Sequence, residues 1–352
     1  MFIDNELKLD YKDVLLRPKR STLNSRSEVQ LERTFSFPHS TQTRTGIPIM
    51  ASNMDTIATI GLAKVFAEYK MITCLHKFYT IEEIIWYSSE PWFAYCAVTS
   101  GILQKDLDKL DQIITWSTKA NNGICPVKFI CLDVANGYTQ RFTTTVKQVR
   151  QAYPDIILIA WNVVTREMTE ELILAGADII KVGIGPGSVC TTRILSGVGY
   201  PQLSAILECA DAAHGLGWHI VADGGIVTPG DFAKAYGAGG DFTMCGGIFA
   251  GHDETAGDII TEWDKQYKVY YGMSSDTAMD KHYGWVASYR SSEGKTVKVP
   301  YKWSLHNTIQ HVLGGLRSAC TYIGAKRLKD VPKCTTFIRV SQQSNEVRGR
   351  NS

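Results

Sequence analysis

Eight short apolar runs recur along the chain, and each is closed by a small or polar cluster. They occupy residues 47–52, 71–75, 93–99, 128–133, 156–161, 179–183, 219–223 and 241–245. Their β-branched and aromatic content predicts strands. Between these runs, apolar residues recur with helical spacing and predict helices at residues 57–69, 81–87, 106–119, 139–152, 167–175, 202–214 and 229–236. Strands that alternate with helices predict a parallel sheet.

Eight such units favour an α/β fold of the closed (β/α)8 TIM barrel type. A doubly wound open sheet is the structural alternative. Polar or glycine-rich residues follow the strands, namely Asn53-Met54-Asp55, His76-Lys77, Asn136-Gly137, Asn162, the 183–193 loop, Asp223-Gly224-Gly225 and Gly246-Gly247. A barrel would collect all of them at the carboxyl ends of its strands, where active sites of this architecture lie.

The remaining segments frame one catalytic barrel domain, which we expect to span residues 1–352. Residues 1–46 form an N-terminal arm before the first strand. Residues 251–304 form a long excursion after the eighth, long enough to be a lid or flap over the barrel mouth. The polar tail, residues 341–352, is expected to be loosely ordered.

Composition excludes several classes of protein. Hydrophobic residues make up 44% and charged residues 20%, and the net charge of +2 gives no reason to expect nucleic acid or a membrane as a partner. The amino terminus lacks a secretion-signal pattern, and no apolar run approaches the ~20 residues of a membrane helix. We therefore expect a soluble cytoplasmic protein. Its nine cysteines show no Cys-x-x-Cys pair, which favours reduced thiols.

The glycine-rich loop after the sixth strand carries the most informative residue, Cys190. Glycines let a backbone turn tightly and approach a ligand closely. Cys190 lies among Ser188, Thr191, Thr192 and Arg193 rather than in an apolar run, so the sequence favours a covalent nucleophile over a packing residue.

Glycine pairs follow strands seven and eight, at Gly224-Gly225 and Gly246-Gly247. Barrels commonly form a phosphate site from backbone N–H groups at these two strand ends, although tight turns also explain single pairs. The Asp223 carboxylate repels phosphate but accepts hydrogen bonds from sugar hydroxyls. Together these features indicate a nucleotide or a sugar phosphate.

The excursion holds two glycine-punctuated segments, 271–275 and 289–295. In a closed site Glu293 would carry protons, whereas an isolated glutamate between serine and glycine is more often a surface residue. No Gly-x-Gly-x-x-Gly follows the first strand, so a nicotinamide cofactor must bind by other means.

At these residues the chain resembles the IMP dehydrogenase/GMP reductase family over nearly its whole length. The matching segments are residues 12–22, 53–56, 133–138, 183–193, 197–205 and 335–340. The family fold is a (β/α)8 barrel assembled as a homotetramer. Within the family the chain is similar to the reductase branch, which implies NADPH-dependent reductive deamination of GMP to IMP and ammonia.

The resemblance also implies roles for individual residues. Cys190 would attack C2 of guanine to give a covalent thioimidate, with Thr192 and Glu293 handling protons. The implied nucleotide contacts are Met54, Asp223, Gly224, Gly225, Gly246, Gly247, Gly272, Met273, Ser274, Arg290, Ser291, Ser292, Glu293 and Gly294.

The implied cofactor contacts are Ser25, Arg26, Lys77, Asp133, Val134, Ala135, Ile184, Gly185, Met273, Tyr289, Arg290, Ser318, Ala319, Cys320 and Thr321. A guanidinium such as that of Arg26 suits the extra phosphate of NADPH. A monovalent cation, usually potassium, is implied at the backbone carbonyls of Gly185, Gly187, Cys190 and Arg193.

Some positions depart from the family pattern. Trp161 replaces the usual glycine before Asn162, close to where the purine should lie, and Ser52 replaces the reductase alanine. Phe78 and Cys245 replace other common residues. These departures bear on substrate affinity more than on reaction class.

Two other functions stay open. An IMP dehydrogenase uses the same cysteine but oxidises IMP to XMP, and that branch carries an Arg-Tyr pair on its flap, a dipeptide absent from this chain. A catalytically silent barrel that binds purine nucleotides is the third hypothesis, and Trp161 is its best support.

Overall fold

Eight parallel strands close into a barrel in the computed structural model, which describes residues 3–284 and 291–341. The strands are β1 Val14–Leu16, β2 Arg33–Phe37, β3 Gln42–Gly46, β4 Ile49–Ala51, β5 Ile72–Leu75, β6 Cys96–Ser100, β7 Phe129–Leu132, β8 Ile157–Val163, β9 Ile179–Val182, β10 His219–Asp223, β11 Phe242–Cys245, β12 Ile260–Glu262, β13 Lys265–Tyr271, β14 Thr296–Pro300 and β15 Phe337–Arg339. The barrel runs from β4 to β11 and closes where β11 pairs with β4. This confirms the predicted TIM barrel and excludes the open sheet.

Helices between the strands cover the barrel. They are α1 Ile60–Glu68, α2 Ile81–Tyr87, α3 Gln104–Ala120, α4 Gln140–Ala152, α5 Arg166–Leu174, α6 Thr192–Ser196, α7 Gln202–Leu216, α8 Pro229–Gly237, α9 Asp276–Tyr283, α10 Leu305–Ile323 and α11 Val331–Cys334. Short 3-10 helices cover Tyr11–Asp13, Arg26–Glu28, Pro91–Tyr95, Gly247–Phe249 and Leu328–Asp330. Among the described residues, no helix combines the length and apolarity that crossing a bilayer requires.

Two predicted boundaries are wrong for local reasons. The first helix begins at Ile60 rather than at residue 57, because the Thr59 hydroxyl accepts a hydrogen bond from the backbone N–H of Leu62 and caps it. The third strand begins at Cys96 rather than at residue 93. Pro91 starts a 3-10 turn there, and Phe93 points into the core beside α1.

The barrel interior is a core of its own. Alternate residues of each strand point inward, and they form a buried cluster with two phenylalanines of the β2–β3 hairpin. Phe35 stacks on Phe242 at 4.2 Å, and Phe242 begins β11, so the hairpin plugs the amino-terminal end of the barrel. The carboxyl-terminal end is left for the loops.

A buried charge cluster fixes that plug. One Asp241 oxygen pairs with Arg33 of the hairpin at 3.1 Å, and the other accepts from His214 at 2.8 Å and from the backbone of Ile220 at 3.1 Å. Burial raises the pKa of Asp241, but hydrogen bonds from His214 and His219 outweigh it and lower that pKa on balance. The same bond to Asp241 raises the pKa of His214.

Asp241→Asn is expected to lower the free energy of unfolding by about 3–5 kcal/mol, because Arg33 loses its buried counter-charge. The carboxylate contributes stability above its unfolded pKa of about 3.9, and this contribution is lost as the pH falls. His214, whose pKa is raised, contributes stability below its unfolded pKa of about 6.5, and this contribution is lost as the pH rises above that value. Urea unfolding should therefore show the largest difference between wild type and variant between about pH 4 and 6.5. A difference that does not change from pH 3 to 9 would contradict this account.

The two ends of the described chain pair with each other. β1 lies antiparallel to β15, with Val14 opposite Arg339 and Leu16 opposite Phe337. The excursion forms a separate antiparallel sheet, β12–β13–β14, followed along the chain by α10. Of the predicted loose tail, only Ser341 belongs to the described residues.

Candidate active site

The Cys190 loop leaves the carboxyl end of β9 with a backbone that only glycine adopts comfortably. Gly183 has φ 147°, and a β-carbon there would lie 2.4 Å from the carbonyl oxygen of Asp223. The Cys190 N–H donates to the Gly187 carbonyl at 3.0 Å, which turns the loop back before α6. The half-buried Cys190 therefore stands at the barrel mouth rather than in the core.

The loop pairs with the far end of the excursion. Cys190 and Gly294 form a β-bridge, and the N–H of Thr191 donates to the Glu293 carbonyl at 3.0 Å. The N–H of Lys295 donates to the Val189 carbonyl at 2.9 Å. These backbone bonds bring two segments about a hundred residues apart into one unit.

Three side chains in this unit form a hydrogen-bonded line. The Cys190 thiol lies 3.3 Å from the Thr192 hydroxyl, which in turn donates to the Glu293 carboxylate at 2.6 Å. In this direction of donation the thiol proton has a path through the threonine oxygen to a carboxylate. The arrangement can generate a thiolate and can also return a proton to a leaving group.

The two glycine pairs meet around the same loop. A β-carbon on Gly224 would touch Pro186 at 3.0 Å, and one on Gly247 would lie 2.8 Å from the Ser188 hydroxyl. A β-carbon on Gly246 would lie 3.0 Å from the Met54 sulfur and 2.7 Å from the buried Tyr270 hydroxyl. Bare backbone, a serine hydroxyl and a tyrosine hydroxyl thus surround one place beside the Cys190 loop, which suits an oxyanion such as phosphate.

Asp223 is held at one oxygen and free at the other. Its Oδ2 pairs with Lys181 at 3.0 Å and accepts from the Asn162 amide at 3.0 Å. Lys181 is completely buried; burial lowers its pKa, but Asp223 and other anionic neighbours raise it on balance. Within residues 3–284 and 291–341 the Asp223 Oδ1 has no hydrogen-bond partner, so it is available to ligand hydroxyls.

Trp161 stands directly above that lysine. The Lys181 ammonium lies 3.6 Å from the centre of its ring, a cation–π contact. The register of β8 against β9 shifts between Ala160 and Val163, and this bulge places Trp161 and Asn162 together at the mouth. The ring that departs from the family glycine therefore covers the Lys181 charge.

The excursion supplies the remaining predicted nucleotide contacts. A β-carbon on Gly272 would lie 2.9 Å from the Val189 carbonyl, so β13 ends against the Cys190 loop. The next residue, Met273, receives the backbone N–H of Asp55 on its sulfur at 3.4 Å. The Ser292 hydroxyl bonds to the carbonyls of Ser274 and Gly294. Ser291 precedes it, and the predicted contacts Tyr289 and Arg290 lie outside the described residues.

The predicted cofactor contacts fall into two groups. At the mouth Lys77 pairs with Asp133 at 3.7 Å, and Asn53 joins Asp133 to Lys181 through bonds of 3.3 and 3.5 Å. Val134 and Ala135 follow Asp133 in the same loop, whereas Ile184 and Gly185 belong to the Cys190 loop and Met273 to the excursion.

The second group is on the outer ring of helices. Ser25 and Arg26 are exposed at a 3-10 turn that packs on α10, which carries Ser318, Ala319, Cys320 and Thr321. Burial raises the pKa of the Cys320 thiol to about 12, and its side chain belongs to the core. The structure thus joins Lys77 to Asp133 in the first group and the 3-10 turn at Arg26 to α10 in the second, and no polar contact among the described residues links one group to the other.

One predicted cation ligand, Gly185, lies beside the arginine of the loop. Gly185 has φ 79°, and the Arg193 side chain packs against it while donating to the Ile184 and Tyr200 carbonyls. The Arg193 guanidinium also pairs with Asp10 of the N-terminal arm at 3.3 Å. The carbonyls that this guanidinium contacts are not the predicted ligands, so a cation at Gly185, Gly187, Cys190 and Arg193 stays a prediction.

Sequence reasoning missed Lys181, Tyr270 and Asp10. Lys181 lies inside the apolar run of β9, and a lysine at an inward position of a fully buried strand is the signal that identifies it. Tyr270 and Asp10 have no such signal, because only the fold brings them to the site.

Comparison with known proteins places this site in context. The family model described as IMP dehydrogenase / GMP reductase domain matches residues 8–86 and 118–348. GMP reductase 1 of Homo sapiens is 57% identical over 347 residues, which cover 98% of this chain and 99% of that protein. GMP reductase of Caenorhabditis elegans is 56% identical over 98% of this chain and 95% of its own length. GMP reductase of Yersinia pestis (strain Pestoides F) is 54% identical over 99% of both chains.

Proposed function

Because the chain belongs to the IMP dehydrogenase / GMP reductase family, we infer its function from the relatives and the site together. It is an oxidoreductase that reduces GMP, and its activity requires a nicotinamide cofactor. We propose NADPH as that cofactor and residues 1–352 as one catalytic unit, in which 1–46 is the arm and 251–304 the flap. The observation that carries the mechanism is the hydrogen-bonded line from Cys190 through Thr192 to Glu293.

GMP would bind with its phosphate beside the two glycine pairs and the Ser188 hydroxyl. Asp223 Oδ1 would accept the ribose hydroxyls, since Lys181 and Asn162 hold Oδ2 in place. Met54, Met273, Ser274 and residues 291–294 would enclose the base. In this pose C2 of guanine faces the Cys190 sulfur.

The reaction divides into two halves. Thr192 and Glu293 take the thiol proton, and the Cys190 thiolate attacks C2, so that a carbon–sulfur bond forms. The carbon–nitrogen bond then breaks, and the leaving amine takes a proton from the same pair and departs as ammonia. NADPH, when bound, supplies the hydride that C2 requires. Cleavage of the carbon–sulfur bond then releases IMP and restores the thiolate.

The cofactor contacts, the bound cation, the oligomeric state and the cellular location are proposals that follow from the family resemblance. We propose that Lys77, Asp133, Val134, Ala135, Ile184 and Gly185 hold the nicotinamide half of the cofactor. The exposed Arg26, with Ser25 and residues 318–321, suits its phosphate-bearing half. Potassium at the carbonyls of Gly185, Gly187, Cys190 and Arg193, a homotetramer and a cytoplasmic location belong to the same proposal.

The test is a cofactor assay with purified protein. Incubation with GMP and NADPH should consume the reduced cofactor and release equal amounts of IMP and ammonia, measured by absorbance, chromatography and an ammonia assay. NADH in place of NADPH tests the cofactor assignment. NAD-dependent oxidation of IMP to XMP would support the dehydrogenase instead. Nucleotide binding without either turnover would support the silent barrel.

A further inference from the structure

A second polar cluster lies outside the reacting groups, where the excursion meets the loop after β4. Its centre is Asp55, whose side chain is only 3% exposed. One oxygen of this carboxylate, Oδ2, accepts from Tyr271 at 2.7 Å, from Lys281 at 3.0 Å and from His282 at 2.7 Å. All three donors belong to the excursion, whereas Asp55 belongs to the barrel.

An aromatic contact completes this cluster. The ring of Phe78, in the loop after β5, lies parallel to the His282 ring at 3.5 Å and 4°. Tyr283 meets the same Phe78 edge-on at 6.1 Å. We call Asp55, Phe78, Tyr271, Lys281 and His282 the α9 anchor, because Lys281 and His282 form the last turn of that helix.

The first turn of α9 contacts residues 292–294, which we call the catalytic segment because they include Glu293. The Asp276 N–H donates to the Ser292 hydroxyl at 3.0 Å, and this hydroxyl bonds onward to the Gly294 carbonyl at 3.0 Å. Glu293 lies between these two residues, and its carboxylate receives the Thr192 hydroxyl. An eight-residue helix, about 12 Å long, thus connects the anchor at one end with the proton acceptor at the other.

We propose that the α9 anchor positions Glu293 for proton transfer, and that Tyr271, His282 and Phe78 are positioning residues for the reaction. The charge of Asp55 favours this role. Burial raises the pKa of Asp55, but its bonds to Tyr271, Lys281 and His282 lower it on balance, so the carboxylate stays ionised and holds all three donors. This inference rests on the proposed function only for its kinetic readout.

The test compares two tyrosines of the excursion that each donate to a carboxylate. Tyr271→Phe removes a donor to Asp55, and Tyr301→Phe removes the corresponding donor to Asp253, away from α9. Tyr271→Phe and His282→Leu are expected to lower kcat for GMP about tenfold with less than about twofold change in KM, on the scale of one charge-assisted hydrogen bond. Tyr301→Phe should leave kcat unchanged. His282→Gln keeps a hydrogen-bond donor, so its kcat should be higher than that of His282→Leu.

Hydrogen exchange gives a readout that does not depend on turnover. In Tyr271→Phe and His282→Leu, the backbone N–H groups of Thr191 and Lys295 should exchange faster, since they pair with the catalytic segment. Faster exchange confined to residues 276–283, with kcat unchanged, would show a purely local structural role and overturn the proposal. A wild type that exchanges as expected but does not reduce GMP would instead refute the proposed function alone.

Discussion

Cys190→Ala is expected to lower GMP turnover on the order of 10⁴-fold or more, because the reaction loses the atom that bonds to C2. The thiols of Cys245 and Cys96 are poorly suited to replace it. Burial raises the pKa of the Cys245 thiol, and the Cys96 thiol is also buried. GMP should still bind to Cys190→Ala, since the glycine pairs and Asp223 are intact. Steady-state turnover and calorimetric titration with GMP measure the two effects separately.

Cys125→Ala is the matched control, because Cys125 is also half-buried but its thiol, among the described residues, bonds only to the Val127 carbonyl. It should turn over like the wild type. Mass spectrometry of quenched wild-type reactions should find a nucleotide adduct on the Cys190 peptide. Turnover by Cys190→Ala within a few-fold of the wild type would rule out the covalent mechanism.

Glu293→Gln is expected to lower kcat about 10²- to 10⁴-fold with little change in KM. Glutamine has the same shape and still accepts the Thr192 hydroxyl, but it cannot take up a proton at neutral pH. The loss should therefore appear in the chemical step and not in nucleotide binding. Single-turnover kinetics with saturating GMP and NADPH measure that step directly.

Glu262→Gln serves as the control for charge removal, since Glu262 belongs to the same excursion but its carboxylate, within the part of the chain that the structure describes, forms an ion pair only with Lys298. Thr192→Ser should retain most activity and Thr192→Val should lose it, because only serine keeps the hydroxyl. If the two residues act in one line, Thr192→Val combined with Glu293→Gln will cost little more than either alone. Fully additive losses would mean that they act separately.

The barrel was predictable because its strands are buried on both faces. Parallel strands inside such a fold are continuous apolar runs, and β4 and β7 fit this pattern directly. The start of β6 was not predictable, since the aromatic residues before it resemble a strand until Pro91 sets a 3-10 turn. The β2–β3 hairpin was missed because β3 has no apolar side chain and β2 has only two, Phe35 and Phe37.

The site was predictable only as far as local chemistry reaches. Cys190 and the glycine pairs are visible in the sequence because their loops directly follow strands. The Thr192–Glu293 bond is not visible, because 101 residues separate its partners, and only the family resemblance indicated the pair. Asp55 appeared merely as one polar residue after the first strand, and its three donors come from residues 271–282.

The pairing of β1 with β15 gives the carboxyl-terminal strand influence over a sulfur atom that it never touches. β15 pairs with β1, and just ahead of β1 the Asp10 side chain contacts Arg193, in the helix that follows the nucleophile's loop, and the backbone of Gln202, where the next helix begins. Proteolytic trimming ahead of residue 337 would leave every reacting group in the polypeptide yet cut this tether. A shortened chain would then lose activity because the Cys190 loop is no longer held in position, although no reacting group is missing.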